Sequence, residues 1–338
     1  MTPFATRIKR KFSGILGLTI ALGISSSTFA VDYDYDPAFS YEGETITVTI
    51  RSTPGGGYDL WGRLVARHIG NHLPGNPNGV AINRPGGGGL IAMNYIFNEA
   101  PKDGTHILMG TRELAIAERV GQSGVRYRTM GYPMLGSGTA ESRIWLTGPD
   151  NPVNTLEDIA NMNRDFLFSA AGVGDGSYQM AELLQHAGYP VRVITGYEGT
   201  NNQLLSVLRG EVDGFAAAYP AQRGIINDEN MKIIAKLGRH LEGEVEDIRE
   251  TFTGDFRLLA EIMAAPLTTS RPFFTTPGAP PERVKMLQNA FAAMVNDPAF
   301  IADAERAGQE VIYTSPEEMA RLYQQTLDAP DEIISLVQ

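Results

Sequence analysis

The sequence predicts an α/β fold with a parallel sheet, and two observations carry that prediction. Short runs of β-branched residues, such as residues 46–50, alternate along the chain with amphipathic stretches at helical spacing, such as residues 60–69. Glycine-rich turns join the two kinds of segment, which is the order of elements in a βαβ unit. The length of 338 residues is typical of two domains.

Local patterns predict each element of a first α/β unit. β-branched and apolar runs indicate strands, and apolar residues at i, i+3 and i+4 spacing indicate helices. The predicted segments are strands at 46–50, 80–83 and 107–109 and helices at 60–69 and 90–98.

A second unit begins after Pro149, where Thr155 is the predicted N-cap of a helix. The predicted segments are strands at 166–169, 191–194, 214–218 and 233–235, and helices at 177–186 and 200–208. Near the carboxyl terminus, Ser315, Pro316 and Glu318 form a capping box at the start of a further helix.

Composition and missing motifs disfavour several classes of protein. The chain has no cysteine, which removes disulfides, thiolate metal sites and cysteine nucleophiles. The formal charge is −11, and no basic run lies outside the amino terminus, so nucleic-acid binding is not expected. Phosphate-loop and hydrolase-elbow motifs are absent. His68 and His72 have the four-residue spacing of one helix face, but no third candidate ligand lies beside them in the sequence, so no metal is expected.

Residues 1–30 have the parts of a secretory signal peptide. Four cations precede a short apolar core at residues 12–23, and Thr28 and Ala30 stand at positions −3 and −1 of a cleavage site. The alternative is a membrane anchor, but an apolar core of this length is too short to cross a hydrocarbon layer of ~30 Å. The sequence therefore predicts export.

Five glycine-rich loops follow predicted strands and form the candidate binding site. They lie at residues 54–59, 85–89, 110–112, 171–177 and 196–200. In an open parallel sheet, ligands bind beyond the carboxyl ends of the strands, where such loops lie. Glycine lets the backbone approach a ligand, and helix N-termini direct N–H groups at an anion. The loops therefore predict a pocket for a small anion between two lobes, although each loop alone also fits a plain βα turn.

Seven short stretches carry a family resemblance through their order and spacing. They lie at residues 54–59, 83–89, 100–105, 174–177, 197–200, 210–213 and 275–280. Together they resemble the extracytoplasmic substrate-binding receptors of tripartite tricarboxylate transporters, also called the Bug family. The resemblance extends over about residues 45 to 330.

The resemblance implies a type II periplasmic binding protein-like fold with two lobes, mainly parallel sheets and a hinge of two crossing strands. Lobe 1 would comprise residues 31–142 and 260–338, and lobe 2 residues 143–259. The implied function is that of a periplasmic receptor. Such a receptor binds a small carboxylate, closes around it without catalysis, cofactor or metal, and docks as a monomer on the permease subunits of a tripartite transporter.

The resemblance also implies which residues contact the ligand. In lobe 1 they are Gly55, Gly56, Tyr58, Asp59, Gly87, Gly88 and Thr111. In lobe 2 they are Ala171, Gly172, Gly174, Ser177, Tyr197, Gly199 and Thr200. Asp213 and Tyr219, which flank one predicted strand, are further candidates. Arg112 either pairs with the second carboxylate of a dicarboxylate or is a surface residue.

The chain departs from the family pattern at three points. Gly87 stands where the family commonly has alanine, Lys102 is an insertion, and Gly196 replaces the proline that usually precedes the tyrosine equivalent to Tyr197. These departures concern the identity of the ligand more than the fold.

Two other functions remain open from the sequence. A secreted hydrolase or lyase would use Asp59, Asp175 and Asp213 as paired carboxylates with raised pKa values. An interaction module without a small ligand would tolerate bulky substitutions at Ser177 or Tyr58.

Overall fold

The computed structural model describes residues 36–55, 57–172, 176–197, 200–238 and 245–336. The predicted signal peptide lies outside this part of the chain, and so do Gly56, Gly174 and Gly199. Within the described ranges, no helix has the length and apolar character needed to cross a bilayer.

The described residues form two five-stranded sheets. Sheet 1 contains, in spatial order, β2 (Asn78–Asn83), β1 (Thr45–Ile50), β3 (His106–Met109), β10 (Pro272–Thr275) and β4 (Met134–Ser137). Sheet 2 contains, also in spatial order, β7 (Val191–Thr195), β6 (Phe166–Ala170), β8 (Gly214–Ala218), β5 (Ser142–Thr147) and β9 (Lys232–Gly238).

The two sheets have the same design. In each, the strand in the fourth position is antiparallel to both of its neighbours, and the other four strands share one direction. That strand is β10 in sheet 1 and β5 in sheet 2. Because β5 follows β4 after only residues 138–141, and the chain later returns to sheet 1 at β10, these strands mark the two crossings between the sheets. The arrangement confirms the predicted two-lobed α/β fold with mainly parallel sheets.

Helices pack against both sheets. Those of the first part of the chain are α1 (Gly57–His68), α2 (Leu90–Asn98) and α3 (Leu114–Arg119). Those between the crossings are α4 (Leu156–Ala160), α5 (Gly176–His186), α6 (Thr200–Leu208), α7 (Tyr219–Asp228), α8 (Ile248–Thr251) and α9 (Gly254–Thr268). The last are α10 (Pro281–Val295), α11 (Pro298–Arg306), α12 (Pro316–Leu327) and α13 (Asp331–Ile334).

Local sequence signals account for most of these elements. Ile46, Val48 and Ile50 alternate along β1 and are all fully buried, as the period of a strand requires. Thr155 caps α4 in a capping box, and the Ser315 hydroxyl accepts the backbone N–H of Glu318 at the start of α12. The sequence did not predict β4, β5 or β10.

Helix α9 crosses the predicted boundary between lobes at residues 259 and 260. Its Leu259 and Ile262 are buried in the core of sheet 2, together with Ile333 and Ile334 of α13. Both helices therefore contribute to the apolar core on that side of the molecule, and the lobe boundaries remain a prediction.

Candidate functional site

Three of the predicted loops meet at one edge of sheet 1. The carboxyl ends of the parallel strands β1, β2 and β3 lie side by side, so the loops that follow them are neighbours. Nη2 of Arg51, just after β1, donates to the carbonyl oxygen of Gly88 at 2.8 Å. The backbone N–H of Arg51 donates to the carbonyl of Met109, the last residue of β3. This edge holds the described first-lobe candidates Gly55, Tyr58, Asp59, Gly87, Gly88, Thr111 and Arg112.

The corresponding edge of sheet 2 carries the second-lobe candidates. β6, β7 and β8 run parallel, and their carboxyl ends lead to Ala171, Gly196 and Tyr219. The N–H of Gly196 donates to the carbonyl of Ala171, which joins two of these loops. The described second-lobe candidates at this edge are Ala171, Gly172, Ser177, Tyr197, Thr200 and Tyr219.

The two edges face a common crevice. A cavity of about 230 Å³ is lined by Arg112 and Glu113 from the sheet 1 side and by Gly176 and Gln179 from α5. Arg143, near the start of β5, lines the same cavity. Two of the five predicted loops, those after β3 and β6, therefore border one cavity through Arg112 and Gly176.

Asp59 supports the first glycine loop. Its side chain is buried and accepts hydrogen bonds from the backbone N–H of Gly55 at 2.9 Å, Nε of Arg63 at 3.1 Å and Nδ2 of Asn83 at 2.7 Å. Burial alone would raise the pKa of Asp59, but these hydrogen bonds hold the pKa below its usual value. Asp59 is thus bonded within lobe 1 and positions the Gly55 turn.

Thr111 and Arg112 are held by two glutamates. The Thr111 hydroxyl donates to Oε2 of Glu113 at 2.6 Å, and Arg112 donates to Glu113 at 2.6 Å and to Glu141 at 2.7 Å. Burial would raise the pKa of Glu113, but the charge of Arg112 and these hydrogen bonds lower it. Pairing of Arg112 with a ligand carboxylate would require a position at the crevice, and Arg112 lies there. Its guanidinium is, however, already paired with the carboxylates of Glu113 and Glu141.

Two arginines that sequence reasoning missed flank Tyr58. The Cζ atoms of Arg51 and Arg271 lie 4.2 and 4.7 Å from the centroid of the Tyr58 ring. Arg51 stands directly after a predicted strand, so its place in the sequence was a usable signal. Arg271 precedes β10, which was not predicted, so its sequence position gave no comparable signal.

Several backbone N–H groups expected to face the ligand already have acceptors. Gly55 donates to Asp59, Ala171 donates to the Ser177 hydroxyl at 3.3 Å, and Tyr197 donates to the carbonyl of Ala170 at 3.2 Å. The Ser177 hydroxyl is buried and also accepts Nε2 of Gln203. These contacts shape the loops and leave fewer amides for an anion than the glycine content suggests.

Asp213 lies at the opposite edge of sheet 2. It precedes β8, whose carboxyl end leads to Tyr219 at the crevice, and a strand of five residues spans roughly 17 Å. Arg164 binds both carboxylate oxygens at 2.6 and 2.7 Å, and the N–H of Leu167 donates at 2.9 Å. Burial would raise the pKa of Asp213, but these contacts lower it. The carboxylate of Asp213 therefore stabilises the far edge of the sheet, and its expected contact with the ligand stays a prediction.

The geometry disfavours the hydrolase or lyase alternative as the sequence posed it. Asp59 lies in α1, beyond the carboxyl end of β1, whereas Asp213 precedes β8 in the other sheet. Each has a lowered pKa, but acid–base carboxylates of that kind need raised values. Asp175 lies outside the described residues. His68 and His72 face different partners, Asp303 and Asp297, and so do not converge on one ion.

Two α/β lobes whose loop edges meet at one crevice define a periplasmic binding protein-like fold. The chain belongs to the tripartite tricarboxylate transporter family receptors, TctC, because the model of that family matches residues 63–338. This confirms the resemblance found in the sequence. The first glycine loop precedes the matched region. No curated protein sequence matches the chain.

Solved structures with the same fold have low sequence identity to the chain. A TctC solute-binding protein from Polaromonas, without ligand, is 18% identical at a TM-score of 0.71, covering 88% of this chain and 99% of the other. R. palustris Rpa4515 with adipate is 19% identical at 0.53, covering 87% and 97%. The periplasmic binding protein BugD is 19% identical at 0.51, covering 88% and 97%.

Proposed function

We propose that the chain is an extracytoplasmic receptor that binds a small carboxylate anion in the crevice between its lobes. It delivers that anion to the membrane permease subunits of a tripartite transporter. It works in the periplasm after loss of residues 1–30, as a monomer and without changing the ligand. Membership of the receptor family and a cavity bordered by one loop from each sheet support this role.

A concentration of guanidinium groups at one edge of sheet 1 in an acidic protein carries the proposal. The chain has a formal charge of −11, yet Arg51, Arg112 and Arg271 share one edge of sheet 1. Glu113 and Glu141 balance two of these three positive charges. The remaining charge attracts an anion more strongly in a half-buried crevice than on an open surface, because the effective dielectric constant is lower there.

The overall negative charge does not oppose anion binding. Charges on the outer surface are screened beyond ~8 Å at physiological ionic strength, whereas groups inside a crevice are screened much less. The local cations therefore dominate the field that a ligand meets at short range.

Closure of the lobes follows from the position of the site. A ligand that touches loops of both sheets binds the closed arrangement better than the open one and shifts the equilibrium toward it. The closed arrangement is the one that docks on the membrane subunits. The adipate in R. palustris Rpa4515 makes a dicarboxylate a reasonable first probe.

Mass spectrometry of the small molecules released on gentle denaturation tests the proposal. We expect a carboxylate near one equivalent per chain, and we expect the same molecule to be recovered unchanged after it is added back to ligand-free protein. Protein stripped of ligand in mild denaturant and refolded is the control. Conversion of the added carboxylate into a product, or release of no small anion together with no rebinding, would contradict the proposal.

A further inference from the structure

The aromatic ring of Tyr58 holds two guanidinium groups. Because the Cζ atoms of Arg51 and Arg271 lie 4.2 and 4.7 Å from the ring centroid, they are at most about 9 Å apart, the sum of the two distances. Two like charges this close repel one another in a half-buried setting. A bound anion between or beside them would relieve that repulsion.

Arg51 is the less neutralised of the two. Among the described residues, no carboxylate lies within 4.0 Å of its guanidinium, whereas Arg271 pairs with Glu141 at 3.2 Å. Arg51 donates through Nη2 to the carbonyl of Gly88, and its buried Nε has no acceptor in the described part of the chain. A guanidinium carries five N–H donors, so the protein groups described here use only a fraction of its capacity.

The glycine run at residues 86–89 makes room for Arg51. All four glycines have positive φ angles, and a Cβ atom on Gly89 would lie 2.5 Å from Nε of Arg51. The side chain of Arg51 therefore lies against backbone that only glycine leaves open. Sequence reasoning assigned this run to direct contact with the ligand. In the structure, the glycine run also leaves space for the Arg51 side chain and so positions its guanidinium.

We propose that Arg51 binds a carboxylate of the ligand directly through its guanidinium and sets the requirement for an anionic group at the lobe 1 end of the crevice. Three observations favour this role. The Arg51 guanidinium has no paired carboxylate among the described residues, and the Tyr58 ring and the Gly88 carbonyl fix its position. Neighbouring amides, such as the N–H of Gly55, already donate to protein acceptors. The inference rests on the proposed function and adds the residue that recognises the ligand's charge.

Titration calorimetry with succinate, malate and adipate tests this role in Arg51→Met and Arg51→Lys. Loss of a charge-assisted hydrogen bond predicts affinity at least about tenfold weaker in Arg51→Met for each acid that the unaltered protein binds. Arg51→Lys keeps the charge but loses the planar fork, so we expect a smaller loss. Arg84→Met is the matched control, because Arg84 also directly follows a strand, β2, and its Cζ also lies on a tyrosine ring, 3.6 Å from the centroid of Tyr95 in α2. That change should alter affinity less than about twofold.

Ionic strength separates direct binding from a structural role. Added salt should weaken binding to the unaltered protein more than to Arg51→Met, because the variant lacks the screened ion pair.

If Arg51→Met fails to fold, Arg51→Lys with an unchanged melting temperature carries the test. Binding of an acid with unaltered affinity in the folded variants, or an unchanged salt dependence, would overturn the role of Arg51 and leave the proposed function standing. Failure of all three acids to bind the unaltered protein would count against both.

Discussion

Glu141 and Arg271 form an ion pair, with 3.2 Å between Oε1 and Nη2, that joins the two crossings between the sheets. Glu141 ends the segment that leads from β4 to β5, and Arg271 immediately precedes β10. The other carboxylate oxygen of Glu141 accepts Nη1 of Arg112 at 2.7 Å. One carboxylate therefore links both crossings to the loop after β3.

Replacing Glu141 separates stability from anion binding. Glu141→Gln leaves Arg112 and Arg271 without their shared counter-charge, so we expect the free energy of unfolding to fall by about 1–3 kcal/mol. The same change makes the crevice more positive, so carboxylate affinity should hold or rise. Urea unfolding and calorimetry measure the two quantities, with the exposed Glu157→Gln as control. A loss of affinity with no loss of stability would contradict this account of Glu141.

Replacing Gly89 should displace Arg51. In Gly89→Ala the new methyl group would lie 2.5 Å from Nε of Arg51, and the backbone at φ +105° would be strained. We expect carboxylate affinity to fall by about tenfold, as for loss of the guanidinium contact. Gly121→Ala is the matched control, because Gly121 also has a positive φ but its Cβ position meets nothing within 4 Å. Equal affinities in the two variants would show that Arg51 does not depend on this glycine.

Asp213 should matter for stability and not for ligand binding. Asp213→Asn weakens the contacts to Arg164 and to the N–H of Leu167, so we expect roughly 1–2 kcal/mol less stability, allowing for the half-exposed arginine. Carboxylate affinity should be unchanged at temperatures where the variant is folded. Asp150→Asn, at an exposed position, is the control. A selective loss of affinity in Asp213→Asn would place this carboxylate back in the binding site.

The pKa of Asp59 predicts a contribution to stability that acid removes. Because the folded-state pKa lies below the ordinary value of 3.8, the ionised carboxylate favours folding. That contribution is fully present above the ordinary value and is lost as the pH falls through the folded-state value. The difference in unfolding free energy between the native protein and Asp59→Asn should therefore be constant from about pH 5 to 7 and shrink below about pH 4. A difference that grows on acidification would contradict the assignment.

Local patterns were sufficient for much of the fold. The alternation of Ile46, Val48 and Ile50 predicts β1 because each strand face keeps a period of two residues. The crossing strands were missed because distant partners define them. In β5, Trp145 pairs with Ala216 on one side and Ala235 on the other, and neither pairing leaves a local trace in the sequence.

The sequence could group the loops of the candidate site but could not give their contacts. Parallel strands bring the loops after them to one edge, so the order of strands and helices along the chain was enough to group the glycine loops. Tertiary contacts, such as the hydrogen bond from the N–H of Ala171 to the Ser177 hydroxyl, decide which N–H groups are left without an acceptor in the protein. The positions of Arg51 and Arg271 on one tyrosine ring depend on the packing of three separate segments.

Titration calorimetry of the purified, ligand-free protein against a panel of mono- and dicarboxylates tests the central claim most directly. The account predicts that at least one member binds at one site per chain with a Kd below about 1 mM, equivalent to roughly 4 kcal/mol of binding free energy. An absence of heat of binding across the whole panel, with the protein shown to be folded, would contradict it.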